Sequence, residues 1–156
     1  MMLTGTCKKI DAYKILENLH LDPHNVAFIR GTSFSRPELT IQVHHKSTKE
    51  KTIGEIIALL EEINDGKCII YCPTIRSCDE IYEQLHGKLG EHIMMAVYYS
   101  SLDSEEKKRK LKSWKDNTIQ LMIATNAFGM GLNNKNIRLV IHYAFPLSIG
   151  KNLIFF

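Results

Sequence analysis

Apolar residues fall into a regular alternation of patterns from residue 53 onward. Ile53, Ile56, Ile57, Leu60 and Ile63 stand at i, i+3, i+4, i+7 and i+10, which places one apolar stripe on a helix. Asn64-Asp65-Gly66 closes it with turn residues. Lys67 to Cys72 (KCIIYC) is a short unbroken apolar run, as expected of a strand buried on both faces. Cys78, Tyr82, Leu85 and Leu89 give a second helical stripe, stopped at Gly90. Ile93 to Tyr99 (IMMAVYY) reads as another buried strand. Asp103 and Glu106 have capping-box spacing and start a third helix whose apolar side includes Leu111 and Trp114. Residues Thr118 to Thr125 and Ile137 to Tyr143 complete the series as strands. Upstream, Ile10, Tyr13, Ile15, Leu16 and Leu19 predict a helix over Lys8 to Leu19, ended by Pro23. Val26 to Glu38 reads as a linker and Thr40 to Val43 as a short strand.

Alternating strands and helices are the pattern of a parallel sheet with helices on both faces, joined by right-handed crossovers. In such sheets ligands bind beyond the carboxyl ends of the strands. The informative loops are therefore those after Cys72, Tyr99, Thr125 and Tyr143.

Composition narrows the picture a little. The chain has 156 residues, 44% of them hydrophobic and 24% charged, which suits a globular core. No apolar run approaches the ~20 residues of a membrane-spanning helix. The start, MMLTGTCKKIDAY, reads as having no secretory h-region. Twenty basic against 17 acidic residues give +3, which permits a polyanion partner without demanding one. A motor built on two domains of this class does not fit in 156 residues, so on any motor reading the chain is a part. Cys7, Cys68, Cys72 and Cys78 lack zinc-site spacing, and Cys68 and Cys72 read as small hydrophobes of a buried strand.

The loops carry the candidate chemistry. Pro73-Thr74-Ile75-Arg76-Ser77 leads into a helix, where free N–H groups, hydroxyls and an arginine suit a phosphate. Thr74 or Ser77 acting only as a helix cap explains the same residues. Ser100 and Ser101 present hydroxyls after the next strand, again open to either role. Residues Ala124 to Asn134 (ATNAFGMGLNN) are the most unusual stretch, with Gly129 and Gly131 in G-x-G spacing and Thr125 and Asn126 as short polar side chains. Lys107-Lys108-Arg109-Lys110 reads as a solvated helix face, as do Asp79 and Glu80. No G-x-x-x-x-G-K-[ST] loop, strand-end acidic box or Cys/His constellation is present, so no catalytic or metal-binding residue is assigned.

Five stretches, in order, resemble the RecQ family of superfamily-two DNA helicases. Leu3-Thr4-Gly5-Thr6 resembles that family's motif III, Ser33 to Pro37 its S-F-x-R-P segment, and Ile69 to Thr74 its motif IV. Tyr98 to Leu102 resembles its Y-H-x-G-L, and Ala124 to Asn133 its motif V, A-T-x-A-F-G-M-G-[IL]-[ND]. The likeness runs from about residue 2 to about residue 149. It implies the second RecA-like α/β domain of such an enzyme, a parallel sheet flanked by helices. By this resemblance residues 1–25 are the tail of the preceding domain, 26–149 the RecA-like domain, and 150–156 a divergent end.

The same resemblance gives the loops roles. Thr74, Arg76, Ser100, Thr125 and Asn126 would contact single-stranded or forked DNA, and Gly131 and Asn133 would lie toward the nucleotide. It implies ATP and Mg2+ as cofactors of the intact 3′ to 5′ helicase, bound with a first RecA-like domain and not by this chain alone. It implies a nuclear location in a eukaryote and a cytoplasmic one otherwise, with no membrane partner. The sequence departs from the family in places. Ile75 stands where the family's arginine is common, Tyr99 and Ser101 replace a histidine and a glycine, and residues 150–156 stand where a Q-x-x-G-R-x-G-R-D motif continues. That motif supplies an arginine finger. The expectation is therefore a helicase fragment without turnover of its own. The alternatives are a non-catalytic nucleic-acid- or partner-binding module and an RNA helicase fragment of the same superfamily.

Overall fold

The computed structural model describes residues 9–29, 38–129 and 136–144. The chain divides into two units, residues 1–45 with 148–156, and residues 46–147.

In the first unit, α1 spans Lys9–Asn18. It ends where His20 turns left-handed (φ 53°), with Leu21 N–H donating to the Leu16 carbonyl at 2.9 Å and His20 N–H to Glu17 at 3.0 Å. These bonds satisfy carbonyls that the helix end leaves without partners. Asp22 then caps a short 3-10 turn, Pro23–Asn25, by accepting from His24 N–H at 2.9 Å. Of the apolar stripe only Leu16 is buried; Ile10, Tyr13, Ile15 and Leu19 are exposed. The strand expected at Thr40–Val43 does not form: residues 38–45 have no regular structure, and Ile41 and Val43 are exposed. A four-residue extended run has no stability without a ladder partner.

The second unit holds the sheet. Helix α2 (Lys49–Glu61) starts at Thr48, whose side chain accepts from Lys51 N–H, and buries Ile53, Ile56 and Leu60. Then follow β1 (Lys67–Tyr71), α3 (Ile75–Leu89), β2 (Met95–Tyr98), α4 (Ser104–Lys115), β3 (Leu121–Ala124) and β4 (Ile137–His142). Asp103 caps α4 by accepting from Glu106 N–H at 2.8 Å, one half of the predicted capping box. The strands are all parallel, in the order β2-β3-β1-β4. Cys68 pairs with Leu121 on one side and Leu139 on the other.

Side chains alternate across the sheet. Cys68, Ile70, Cys72, Leu121 and Ile123 meet the stripes of α2 and α3 on one face. The alternate residues serve the other face, where Tyr98 and Phe128 pack at 5.1 Å between ring centroids and Phe128 and Trp114 of α4 at 5.5 Å. The interior strands β1 and β3 are buried throughout. The stretch Ile93 to Tyr99, expected to be fully buried, is instead an edge: β2 is largely half-buried and Met94 is exposed. Among the described residues it has a neighbouring strand on one side only. Cys68, Cys72 and Cys78 are buried thiols, and burial pushes Cys68 up to about 11.

Two junctions fix the chain at the amino end of the sheet. Gly66 adopts φ 122°, and a Cβ there would lie 3.1 Å from the Asn136 carbonyl and closer still to Arg138. At the end of α4, Asn117 turns left-handed (φ 61°) and Thr118 N–H donates to Ser113 at 2.9 Å. Lys67 is buried beside this end. Its ammonium donates to the Trp114 carbonyl and lies 4.8 Å from the Trp114 ring centre. A cation is favourable at a helix carboxyl end, but burial still holds the Lys67 pKa below its ordinary value of 10.5, against the raising effect of Asp116.

This shift has a pH consequence. Below 10.5 the unfolded chain binds more protons at Lys67 than the folded chain does, so this group adds stability as pH rises toward 10.5. In Lys67→Met the Trp114 carbonyl keeps backbone donors from Asp116 and Asn117. Denaturant titrations from pH 7 to 10.5 should show wild type gaining on Lys67→Met as pH rises. A constant difference would show that Lys67 titrates normally.

Candidate nucleic-acid interface

In right-handed β-α-β units each helix runs back against the strand direction. The amino ends of α2, α3 and α4 therefore gather at the carboxyl edge of the sheet, each with its own cap: Thr48, Thr74 and Asp103. The predicted loops reach the same edge. In strand order they are Ser100 after β2, Thr125 and Asn126 after β3, Thr74 and Arg76 after β1, and Tyr143 after β4. Neighbouring strands lie roughly 4.8 Å apart, so residues scattered over 70 positions of sequence form one row. Gly131 and Asn133 lie outside the described residues, as do the stretches Leu3 to Thr6 and Ser33 to Pro37.

Each side chain in the row has defined local partners. Thr74 is the extended N-cap of α3 (φ −136°), and its hydroxyl accepts from Ser77 N–H at 3.1 Å and meets the Ser77 hydroxyl at 2.8 Å. The two explanations for Thr74 thus resolve toward capping as its resting role. Arg76 is 89% exposed, and its Nε donates to Glu80 Oε1 at 2.9 Å. The other oxygen of Glu80 accepts from Lys49 Nζ at 2.6 Å. These hydrogen bonds, Lys49 first and Arg76 second, hold the Glu80 carboxyl below its ordinary pKa, and the same contact raises Lys49. Asp79 and Glu80 do belong to the face of α3, as the sequence suggests.

Ser100 is used through its backbone: its carbonyl accepts from Lys107 Nζ at 2.6 Å. Lys108 and Lys110 pair along α4 with Glu105 and Glu106 at 2.8 and 2.7 Å; Lys108 and Glu105 are solvated as expected of that run, whereas Lys110 and Glu106 are half-buried. Thr125 N–H donates to the Tyr98 carbonyl at 3.2 Å, and Phe128 N–H donates back to the Thr125 carbonyl at 3.1 Å. Asn126 is exposed at the tip of this turn, and Gly129 leaves it at φ 119°, which suits glycine.

Phe128 is what holds the turn. It is 1% exposed, packs on Tyr98 and Trp114, and its carbonyl accepts from the Tyr71 hydroxyl at 3.2 Å. The sequence marks Phe128 only as part of a motif; its anchoring role comes from three partners on three elements. Lys46, Lys49 and Lys107 were also missed. Lys46 Nζ stands 3.7 Å from the Tyr143 ring centre at the β4 end of the row. The readable signal for Lys46 and Lys49 was their place at the start of a helix that precedes a strand, which fixes them at the carboxyl edge.

Cations, hydroxyls and helix amino ends in one row favour an extended anion. Among the described residues no group of three His, Cys, Asp or Glu side chains is placed to hold a metal. Contacts of this kind grip a phosphate backbone and carry little sequence information.

The fold is that of the RecA-like, C-terminal domain type of helicases. Among solved structures, the chain is similar to Mss116p DEAD-box helicase domain 2 bound to an RNA duplex (TM-score 0.60, 13% identity, 68% of this chain and 43% of that one), a likeness of fold. The family model of the helicase conserved C-terminal domain matches residues 48–154, and the chain belongs to that family. It is 30% identical over 146 residues to the ATP-dependent DNA helicase RecQ of Bacillus subtilis, covering 94% of this chain and 23% of that protein. It is also 30% identical over 149 residues to an Acanthamoeba polyphaga mimivirus protein named as an ATP-dependent RNA helicase, covering 96% of this chain and 26% of that protein. The chain thus spans about a quarter of the length of these relatives.

The capping geometry separates two roles of Thr74. Thr74→Ala should cost about 1 kcal/mol in urea denaturation, and Thr74→Ser much less, because serine keeps the accepting oxygen. Equal losses in both variants would mean that the methyl group, not the cap, is what matters.

Proposed function

We propose that this chain forms part of the nucleic-acid path of a RecQ-type ATP-dependent DNA helicase. The carrying observation is the turn Thr125 to Gly129, pinned by Phe128 at the carboxyl edge between Ser100 on one side and Thr74 and Arg76 on the other. In this reading Thr125, Asn126, Ser100, Thr74 and Arg76 hold backbone phosphates of single-stranded or forked DNA. Gly131 and Asn133 contribute to binding a nucleotide shared with a first RecA-like domain, and ATP with Mg2+ drives 3′ to 5′ movement of the strand in the whole enzyme. Its place of work is the nucleus of a eukaryote, or the cytoplasm of a bacterium.

The similarity to RecQ supports a nucleic-acid ligand, and the Mss116p domain, alike in fold, is bound to an RNA duplex. An RNA substrate is the competing reading, favoured by the name of the mimivirus relative. The string Phe128-Gly129-Met130-Gly131, against the A-A-R-G type of RNA-directed helicases, favours DNA.

Fluorescence anisotropy with labelled single-stranded DNA and RNA of one sequence tests this. Binding should weaken steeply with salt, because neutralised phosphates release counterions. DNA should be preferred, and Thr125→Ala with Arg76→Ala should cost on the order of tenfold at low salt. Salt-independent binding, or none, overturns the proposal; a preference for RNA moves it to the RNA-directed branch.

A further inference from the structure

Glu80 bridges cations of two different elements on this edge. Oε1 takes the Nε of Arg76 from the same helix, and Oε2 takes the Nζ of Lys49 from α2, 31 residues earlier in sequence. The cluster stays wet, with side-chain exposures of 48% for Lys49, 36% for Glu80 and 89% for Arg76. Exposed ion pairs of this kind are individually weak, about 0–1 kcal/mol, and screened by salt. They exchange partners readily, unlike a buried bridge.

A phosphate oxygen makes the same contacts with a guanidinium and an ammonium as a carboxylate oxygen does. Both cations of the cluster are at the start of helices, on the edge where the strand would run. Whatever anion seats there meets two cations already shared with a protein carboxylate.

We propose that Glu80 is an internal competitor for backbone phosphate: it occupies Lys49 and Arg76 in the absence of nucleic acid, gives them up when a strand seats, and reclaims them as the strand leaves. This rests on the reading of the carboxyl edge as a nucleic-acid path. It adds Lys49 to the phosphate contacts, a residue outside every motif of the chain. It also makes Glu80 a positioning residue that lowers affinity and speeds release.

Glu80→Gln keeps the shape and removes the charge. In anisotropy titrations with labelled single-stranded DNA at ~50 mM salt, Glu80→Gln should bind roughly three- to tenfold tighter than wild type, mainly through slower dissociation. The salt dependence should steepen by about one phosphate contact. The gain should vanish in a Lys49→Ala, Arg76→Ala background. Glu83→Gln, at an exposed position on the same helix, should bind like wild type. An equal gain in Glu83→Gln would reduce the effect to net charge and overturn the proposal. So would a gain that survives loss of both cations, or weaker binding by Glu80→Gln, which would make Glu80 a support for Arg76. If Glu80→Gln is silent while Thr125→Ala with Arg76→Ala still weakens binding, the path stands and the competitor falls. If wild type and every variant fail to bind, both fall.

Discussion

Strands β1 and β3 are buried along their whole length, and that burial organises the second unit. A strand with no wet face must be covered on both sides. The apolar stripes of α2 and α3 cover one side, and α4 with Phe128 covers the other. Right-handed crossovers then leave those helices no choice of direction. Their amino ends, with the positive ends of their dipoles, must gather where the strands end. The anion-favouring edge is thus a by-product of burying two short apolar strands. Specific side chains only refine it.

The refinement is of two physical kinds. The turn after β3 is fixed by packing, through Phe128 against Tyr98 and Trp114 and through the Tyr71 hydroxyl. The cations of the row are held by wet, exchangeable contacts: Lys49 and Arg76 by Glu80, Lys107 by the Ser100 carbonyl, Lys46 by the Tyr143 ring. Packing sets where the backbone of the edge lies. Wet ion pairs hold its cations, and their strength responds to salt.

Most of this architecture was legible in the sequence, because helical stripes and unbroken apolar runs report burial directly. KCIIYC became the interior strand β1, and the stripes at Ile53 to Ile63 and Cys78 to Leu89 became α2 and α3. The misreadings share one cause. IMMAVYY looks as apolar as KCIIYC, yet β2 is an edge, because strand order depends on partners far away in sequence. Thr40 to Val43 has strand-like letters but no ladder among the described residues. The hydroxyls of the row could be found from their loops. The Lys49–Glu80 pair and the three partners of Phe128 could not, since each is a tertiary contact between different elements that no helical stripe or apolar run encodes.

Lys67 shows how far a local pattern can hide a cost. It opens an apolar run, and the run reads as a strand whether or not the lysine is counted. In the fold its ammonium is drawn under α4 to the Trp114 carbonyl, where burial disfavours the charge and the helix end favours it. Lys49 and Arg76, at the amino ends of α2 and α3, stay largely in water. The difference follows from position: Lys67 lies under the carboxyl end of α4, beside the Gly66 and Asn117 turns. At the carboxyl edge Lys49, Glu80 and Arg76 keep much of their side chains exposed, and contacts between exposed ions are the exchangeable kind.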